Sequence, residues 1–129
     1  MLFRSVRVRY AETDKMGVVY HSNYFVWFEV ARTDLLRHSG STYKDLEADG
    51  VSLPVIEAHC EYRQPARYDD ELDVCVEADL PSPARVRFRY EVVRTSDTAV
   101  LVTGHTVHAA VDLDGRPVRL PQRVRQLFA

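Results

Sequence analysis

Apolar residues fall on alternate positions through most of this chain and on a helical period in one stretch. Val6, Val8 and Tyr10 alternate with Arg7 and Arg9, the period of a half-buried strand. From Ser22 the period changes, and Tyr24, Trp27, Phe28, Ala31 and Leu35 recur at helical spacing. Phe25, Val26 and Val30 lie off that stripe, so the first two turns are apolar almost all round. This predicts a helix enclosed by other structure, with its N-terminus buried or nearly so. Ser22 suits the N-cap, and Gly40 stands where the helix should stop. Residues 39–50, SGSTYKDLEADG, are rich in turn formers and read as a connector with one short helical turn at Tyr43–Ala48.

Beyond the connector the period of two returns. The segment LPVIEAHCEYR places Ile56, Ala58, Cys60 and Tyr62 on one face and Glu57, His59 and Glu61 on the other, opened by Pro54 and closed near Pro65. ELDVCVEAD turns Leu72, Val74, Val76 and Ala78 inward until the PSP at 81–83 breaks it. Val86, Phe88, Tyr90 and Val92 then oppose Arg87, Arg89 and Glu91, and residues 99–111 form a long segment rich in β-branched residues. Asp114-Gly115 makes a turn, and Pro121 opens a short terminal helix carrying Val124, Leu127 and Phe128. One strand, one long helix and four strands joined mostly by short turns predict an α+β fold: a curved antiparallel sheet of about five strands around one central helix. No repeat or linker divides residues 1–129, so a single domain is expected.

Composition narrows the function classes. A formal net charge of −2 argues against a general nucleic-acid binder, which carries a basic excess. Lys15 and Lys44 are the only lysines, and the remaining basic residues are arginines, whose forked donors suit phosphate groups. Cys60 and Cys75 form no CxxC pair and no disulfide framework, so a reducing, cytoplasmic location is the default expectation. The opening MLFRSVRVRY carries arginines throughout and no long apolar core, so it reads as neither a signal peptide nor a membrane span.

The candidate chemistry lies where the first loop meets the long helix. Residues 10–21 are polar and contain Gly17, and they deliver Asp14 to a helix start where unbonded N–H groups favour negative charge. Gly17 permits a tight turn and close backbone approach to a ligand. Glu12 reads as an exposed loop carboxylate and Glu29 as a partner of Arg32 three residues on. Tyr20 and Tyr24 read as packing residues, with Tyr20 available as a pocket wall. Rival chemistries lack their marks: the chain has no G-x-S-x-G elbow, no HExxH and no glycine-rich phosphate loop. Glu57, His59 and Glu61 share a strand face but read as its wetter side, while His105 and His108 point to opposite faces, so no metal site is expected.

The run Tyr10-Ala-Glu-Thr-Asp14, continuing through Met16-Gly17-Val-Val-Tyr20-His21, Asn23-Tyr24 and Trp27-Phe28-Glu29 to Ala31-Arg32, resembles a known signature. It is that of the hotdog-fold acyl-CoA thioesterases of the 4-hydroxybenzoyl-CoA thioesterase family, in its small bacterial acyl-CoA thioester hydrolase branch. Residues 62–72, YRQPARYDDEL, extend the likeness, which covers nearly the whole chain. The resemblance implies a hotdog fold and hydrolysis of acyl-CoA without a cofactor. It further implies that Asp14 is the catalytic carboxylate and that the His21 N–H polarises the thioester carbonyl, with its side chain available to assist. Gly17, Val19, Tyr20 and Tyr24 are the expected substrate-binding positions. Sites between two subunits of a homodimer or homotetramer are implied as well. Arg85, Arg87 and Arg89, alternating on one strand face, are the nearest cluster for the CoA phosphates. Two other readings stay open: a hydratase or dehydratase on acyl thioesters, for which the Asp14 to His21 spacing is too long, and a noncatalytic acyl-thioester binder.

Overall fold

The computed structural model describes residues 2–128. In chain order it forms β1 (Leu2–Arg7), a single 3-10 turn (Tyr10–Glu12), α1 (Ser22–His38), α2 (Tyr43–Ala48), β2 (Val55–Tyr62), β3 (Glu71–Ser82), β4 (Arg85–Arg94), β5 (Val100–Ala109) and α3 (Gln122–Phe128). Every strand pair is antiparallel, and the order across the sheet is β1-β3-β4-β5-β2. This order leaves β1 and β2 as the two edges.

The alternation of apolar side chains decides which face of the sheet receives the helix. Leu72, Val74 and Val76 of β3 and Val86, Phe88, Tyr90 and Val92 of β4 are all buried beneath α1 or its flanks. Arg87, Arg89 and Glu91 take the opposite face. The helix turns Tyr24, Trp27, Phe28, Ala31 and Leu36 to the sheet, and the Phe28 ring stacks on Tyr90 with centroids 4.1 Å apart and planes 4° from parallel. Gly104 of β5 lies directly under that ring, where a Cβ would stand 2.5 Å from the His59 carbonyl oxygen and 2.9 Å from Phe28 Cε2. The missing side chain therefore lets the helix approach the sheet closely. At the other end the Ser41 N–H bonds the Leu36 carbonyl and the Gly40 N–H the Arg37 carbonyl, with Gly40 at φ +97°. This Schellman arrangement stops the helix where the sequence places its stop.

Several local expectations are corrected. The helix is not enclosed in the single chain: its outer side is open, with Val26 54% exposed. His21 and Ser22 at its start are exposed as well, because the sheet curves under only one side of the helix. The N-cap is His21, one residue earlier than expected, and Ser22 is already helical. Leu36 rather than Leu35 completes the buried stripe, since a shift of one position turns the later side chain downward. β1 ends at Arg7, and Tyr10 begins the 3-10 turn with its ring exposed against Tyr68. β3 runs through Pro81 to Ser82, its register shifting between Asp79 and Ser82; the bulge accommodates the proline that was expected to break the strand. In β2 the apolar face is not buried, and Val55, Ile56 and Tyr62 remain about half exposed because the strand is an edge.

Under the middle of α1 the core carries a directed polar chain. His108 Nδ1 meets the Leu53 carbonyl oxygen at 2.9 Å, so it must donate; Nε2 then accepts from Thr106 Oγ1, which in turn accepts from the Tyr90 hydroxyl. Burial pushes the His108 pKa below its ordinary value, consistent with the neutral ring this chain requires. Among the described residues Arg32 forms no ion pair with Glu29; Arg32 is half-buried near Tyr90 and Tyr43, while Glu29 stays exposed. His105 projects to the opposite face from His108, as the alternation requires.

The close approach at Gly104 makes a direct prediction. Gly104→Ala should lower stability by about 1–3 kcal/mol, the usual cost of forcing a methyl into a packed site. Urea unfolding with the slope unchanged and the midpoint lowered is the expected readout.

Candidate active site

The loop between the 3-10 turn and α1 is pinned to the body of the protein at several points. The Asp14 N–H bonds the Val18 carbonyl, the Gly17 N–H bonds the Asp14 carbonyl, and Gly17 sits at φ +78°, a conformation that favours glycine. Val19 donates to the Ala66 carbonyl, and the Tyr20 N–H returns to the Glu12 carbonyl. The chain therefore enters α1 at a fixed point. His21 has helical backbone angles, and among the described residues neither its N–H nor that of Ser22 reaches a protein acceptor. These are the free donors that a helix start presents to an anion or a polarised carbonyl.

Asp14 faces the same space. One carboxylate oxygen accepts the Met16 N–H at 2.8 Å, which fixes the side chain, and among the described residues no protein donor engages the other. Asp14, Val19, His21, Tyr24, Tyr62 and Arg63 line a cavity of about 310 Å³ at the head of the helix. Tyr62, from the end of edge strand β2, donates its hydroxyl to the His21 carbonyl at 3.3 Å, and its ring packs against Tyr24 and His21. Burial and the neighbouring Cys60 push the Tyr62 pKa up to about 12. Tyr24, also raised by burial, accepts the Ala66 N–H. Both phenols thus remain protonated near neutrality, and Asp14 is the one carboxylate among the described residues lining the cavity.

Of the residues singled out in the sequence, Asp14, Val19, His21 and Tyr24 meet in this cavity, and Gly17 forms the turn beside it. Tyr20 is half exposed, and its ring lies tilted against His21 with centroids 4.4 Å apart. Arg85, Arg87 and Arg89 do share one sheet face, but it is the face away from α1. There Arg87 forks onto Asp79, and Arg89 stands 3.6 Å from the same carboxylate. Arg87 and Arg89 line a separate cavity of about 600 Å³ together with Glu57, His59, Glu61 and His105. That larger hollow has cations already paired with carboxylates and no helix start, whereas the smaller one has both an unpaired carboxylate oxygen and free N–H groups. Arg63 is the arginine that the fold brings to Asp14.

Glu12 is the main surprise. It is 8% exposed, with its carboxylate bonded to the Arg9 N–H and the Trp27 indole N–H. No local pattern announces a carboxylate facing an indole fifteen residues along the chain. Tyr62 and Arg63 were visible as the end of a strand and the start of the second stretch of family likeness, but not as neighbours of Asp14, because that placement depends on the sheet order.

Comparisons with known proteins identify the family and the fold. Residues 8–128 match the thioesterase-like superfamily. The acyl-CoA thioester hydrolase YbgC of Escherichia coli is 35% identical over 124 residues, covering 95% of this chain and 92% of that protein. Among solved structures, the hypothetical protein AQ1494 of Aquifex aeolicus superposes with a TM-score of 0.92 at 32% identity, covering all of both chains. The DHNA-CoA thioesterase of Staphylococcus aureus gives a TM-score of 0.84 at 35% identity over 92% of this chain and 79% of its own. The sheet-and-helix architecture is the hotdog fold of these structures.

The turn that presents Asp14 can be tested by itself. Gly17→Ala forces a side chain into the left-handed region and should cost about 1–2 kcal/mol. A lowered thermal midpoint with the far-UV spectrum retained is the outcome expected.

Proposed function

Since the chain belongs to the thioesterase-like superfamily and is a thioester hydrolase, we propose that Asp14 and the start of α1 together hydrolyse acyl-CoA to the free acid and CoA. The observation that carries this reading is the pairing, in one cavity, of a carboxylate with an unengaged oxygen and a helix start with unengaged N–H groups. The thioester carbonyl oxygen receives the His21 N–H, which stabilises the negative charge that develops as the carbonyl is attacked. Asp14 takes the proton from a water that adds to the carbonyl carbon, and the His21 ring beside it helps to orient that water. Collapse of the tetrahedral adduct breaks the carbon–sulfur bond and releases the CoA thiolate. Its conjugate acid, with a pKa of about 8.5 on the cysteine scale, is acidic enough to leave without a strong general acid.

The reading includes a second subunit. β2 presents a free edge with Val55 and Ile56 half exposed, and the same strand ends in Tyr62, which lines the cavity. A second copy pairing along this edge would cover both the open backbone groups and the apolar side chains, and would complete the site from two chains. The exposed side of α1, with Val26, offers further surface for assembly of dimers into tetramers. Arg63, which lines this cavity and stands 3.8 Å from Glu61, is the cation nearest the site for the CoA phosphates, whereas Arg87 and Arg89 share Asp79 on the other face of the sheet. Cys60 and Cys75, both free, are compatible with a cytoplasmic setting.

Asp14→Asn keeps the size of the side chain and removes its charge. It should preserve folding and assembly while lowering thiol release from acyl-CoA by ~10²–10⁴-fold; near-normal turnover would sink the assignment. Single turnover in ¹⁸O-water with enzyme in excess should label the acid product in the first turnover. Label in the enzyme instead would mean that Asp14 itself attacks, giving an anhydride opened at the aspartyl carbonyl. By light scattering the protein should be a dimer or larger at micromolar concentration. A fully active monomer would remove the two-chain site.

A further inference from the structure

We propose that Glu12 is a positioning residue, holding Asp14 and the His21 N–H in register with one another; this rests on the role assigned to Asp14 above. Four N–H groups hydrogen-bond to this one residue, and the Arg9 guanidinium stands 3.5 Å from its carboxylate. Its carboxylate accepts the Arg9 N–H at 2.8 Å on one oxygen and the Trp27 indole N–H at 3.2 Å on the other. Its carbonyl accepts the Tyr20 N–H at 2.9 Å and the Asn23 side-chain amide at 3.0 Å. The donors come from the start of the loop, the end of the loop, and the first and second turns of α1. Asp14 follows Glu12 by two residues, and His21 follows Tyr20 directly. One residue thus ties the segment bearing the carboxylate to the segment bearing the oxyanion donor.

The chemistry of the site demands a carboxylate rather than any polar group of that size. Every contact to the side chain, including the Arg9 guanidinium beside the same oxygen as the Arg9 N–H, comes from an N–H donor, so both of its ends must accept. Glutamine offers one carbonyl oxygen and one NH₂, and the NH₂ would meet a donor head to head. In a nearly buried place such a clash shifts the loop or the indole. Misplacement by about 1 Å of a group that orients a reaction costs on the order of 10²-fold in rate. A residue serving stability alone would give a different pattern, with the midpoint of unfolding lowered and turnover per folded enzyme unchanged.

The test compares wild type, Glu12→Gln, Trp27→Phe, the double variant and Asp14→Asn on one acyl-CoA, with kcat expressed per folded protein. Glu12→Gln should lower kcat by about 10–100-fold with KM changed by about twofold or less, the signature of disturbed positioning rather than lost substrate contact. Emission from Trp27, the sole tryptophan, should change in the same variant. Trp27→Phe removes one donor without opposing another to it, so combining it with Glu12→Gln should restore a large part of the lost kcat. Wild-type kcat in Glu12→Gln, or a loss that Trp27→Phe does not relieve, overturns the proposal. If Glu12→Gln does not fold, the double variant still decides: folded with kcat near that of Trp27→Phe supports the proposal, and anything much lower refutes it. Asp14→Asn separates the two assignments: if it is inactive while Glu12→Gln is normal, only the role of Glu12 falls. If Asp14→Asn retains turnover, the reading of the site itself falls.

Discussion

A helix start whose N–H groups the chain leaves unsatisfied is the constraint on which the rest of the site depends. Such groups must find water, a side chain or a ligand. Here the preceding residue, Tyr20, spends its own N–H on Glu12, and among the described residues no side chain folds back to cap His21 or Ser22. The donors are kept free by the way the loop is tied down, and the same ties bring Asp14 to them. A thioester hydrolase needs little more than this, because its leaving group departs readily and the main barrier is the charge that appears on the carbonyl oxygen.

The sheet serves that arrangement by fixing where the helix lies. Phe28 stacked on Tyr90 over Gly104 locks the helix to the centre of the sheet, and the Schellman stop at Gly40 limits its length. With the helix fixed, strand order determines what surrounds its start. β2, next in sequence after the helices, crosses to the far edge beside β5 and ends at Tyr62, whose hydroxyl holds the His21 carbonyl. One of the two sheet edges is thus also a contributor to the cavity, which is why assembly and chemistry are linked in the proposed function.

Most of the fold was legible in the sequence because each element is marked by its own local period. The inward rows of β3 and β4, the helix stop and the Tyr43–Ala48 turn follow directly from alternation, glycine and helical spacing. The errors arise where local pattern competes with long-range placement. The apolar positions of β2 look like a core face, yet strand order sends them to an edge. The all-round apolar first turns of α1 suggest enclosure within one chain, while the open side is left for other surface to cover. Asp14 and His21, the residues proposed for the chemistry, could be named from the motif, but Glu12 could not be separated from an ordinary loop carboxylate, since its indole partner is set by folding. Nor could the arginine row of β4 be seen to face away from the helix start until the sheet was assembled.

The most direct measurement is a crystal structure with a thioether analogue of an acyl-CoA, in which a methylene between sulfur and carbonyl prevents hydrolysis but keeps the carbonyl oxygen. The account predicts that oxygen within about 2.7–3.1 Å of the His21 backbone nitrogen. It also places the free oxygen of Asp14 on a water beside the carbonyl carbon. An analogue whose carbonyl sits in the hollow on the outer sheet face, or one that leaves the His21 N–H unengaged while Asp14 points elsewhere, would contradict it.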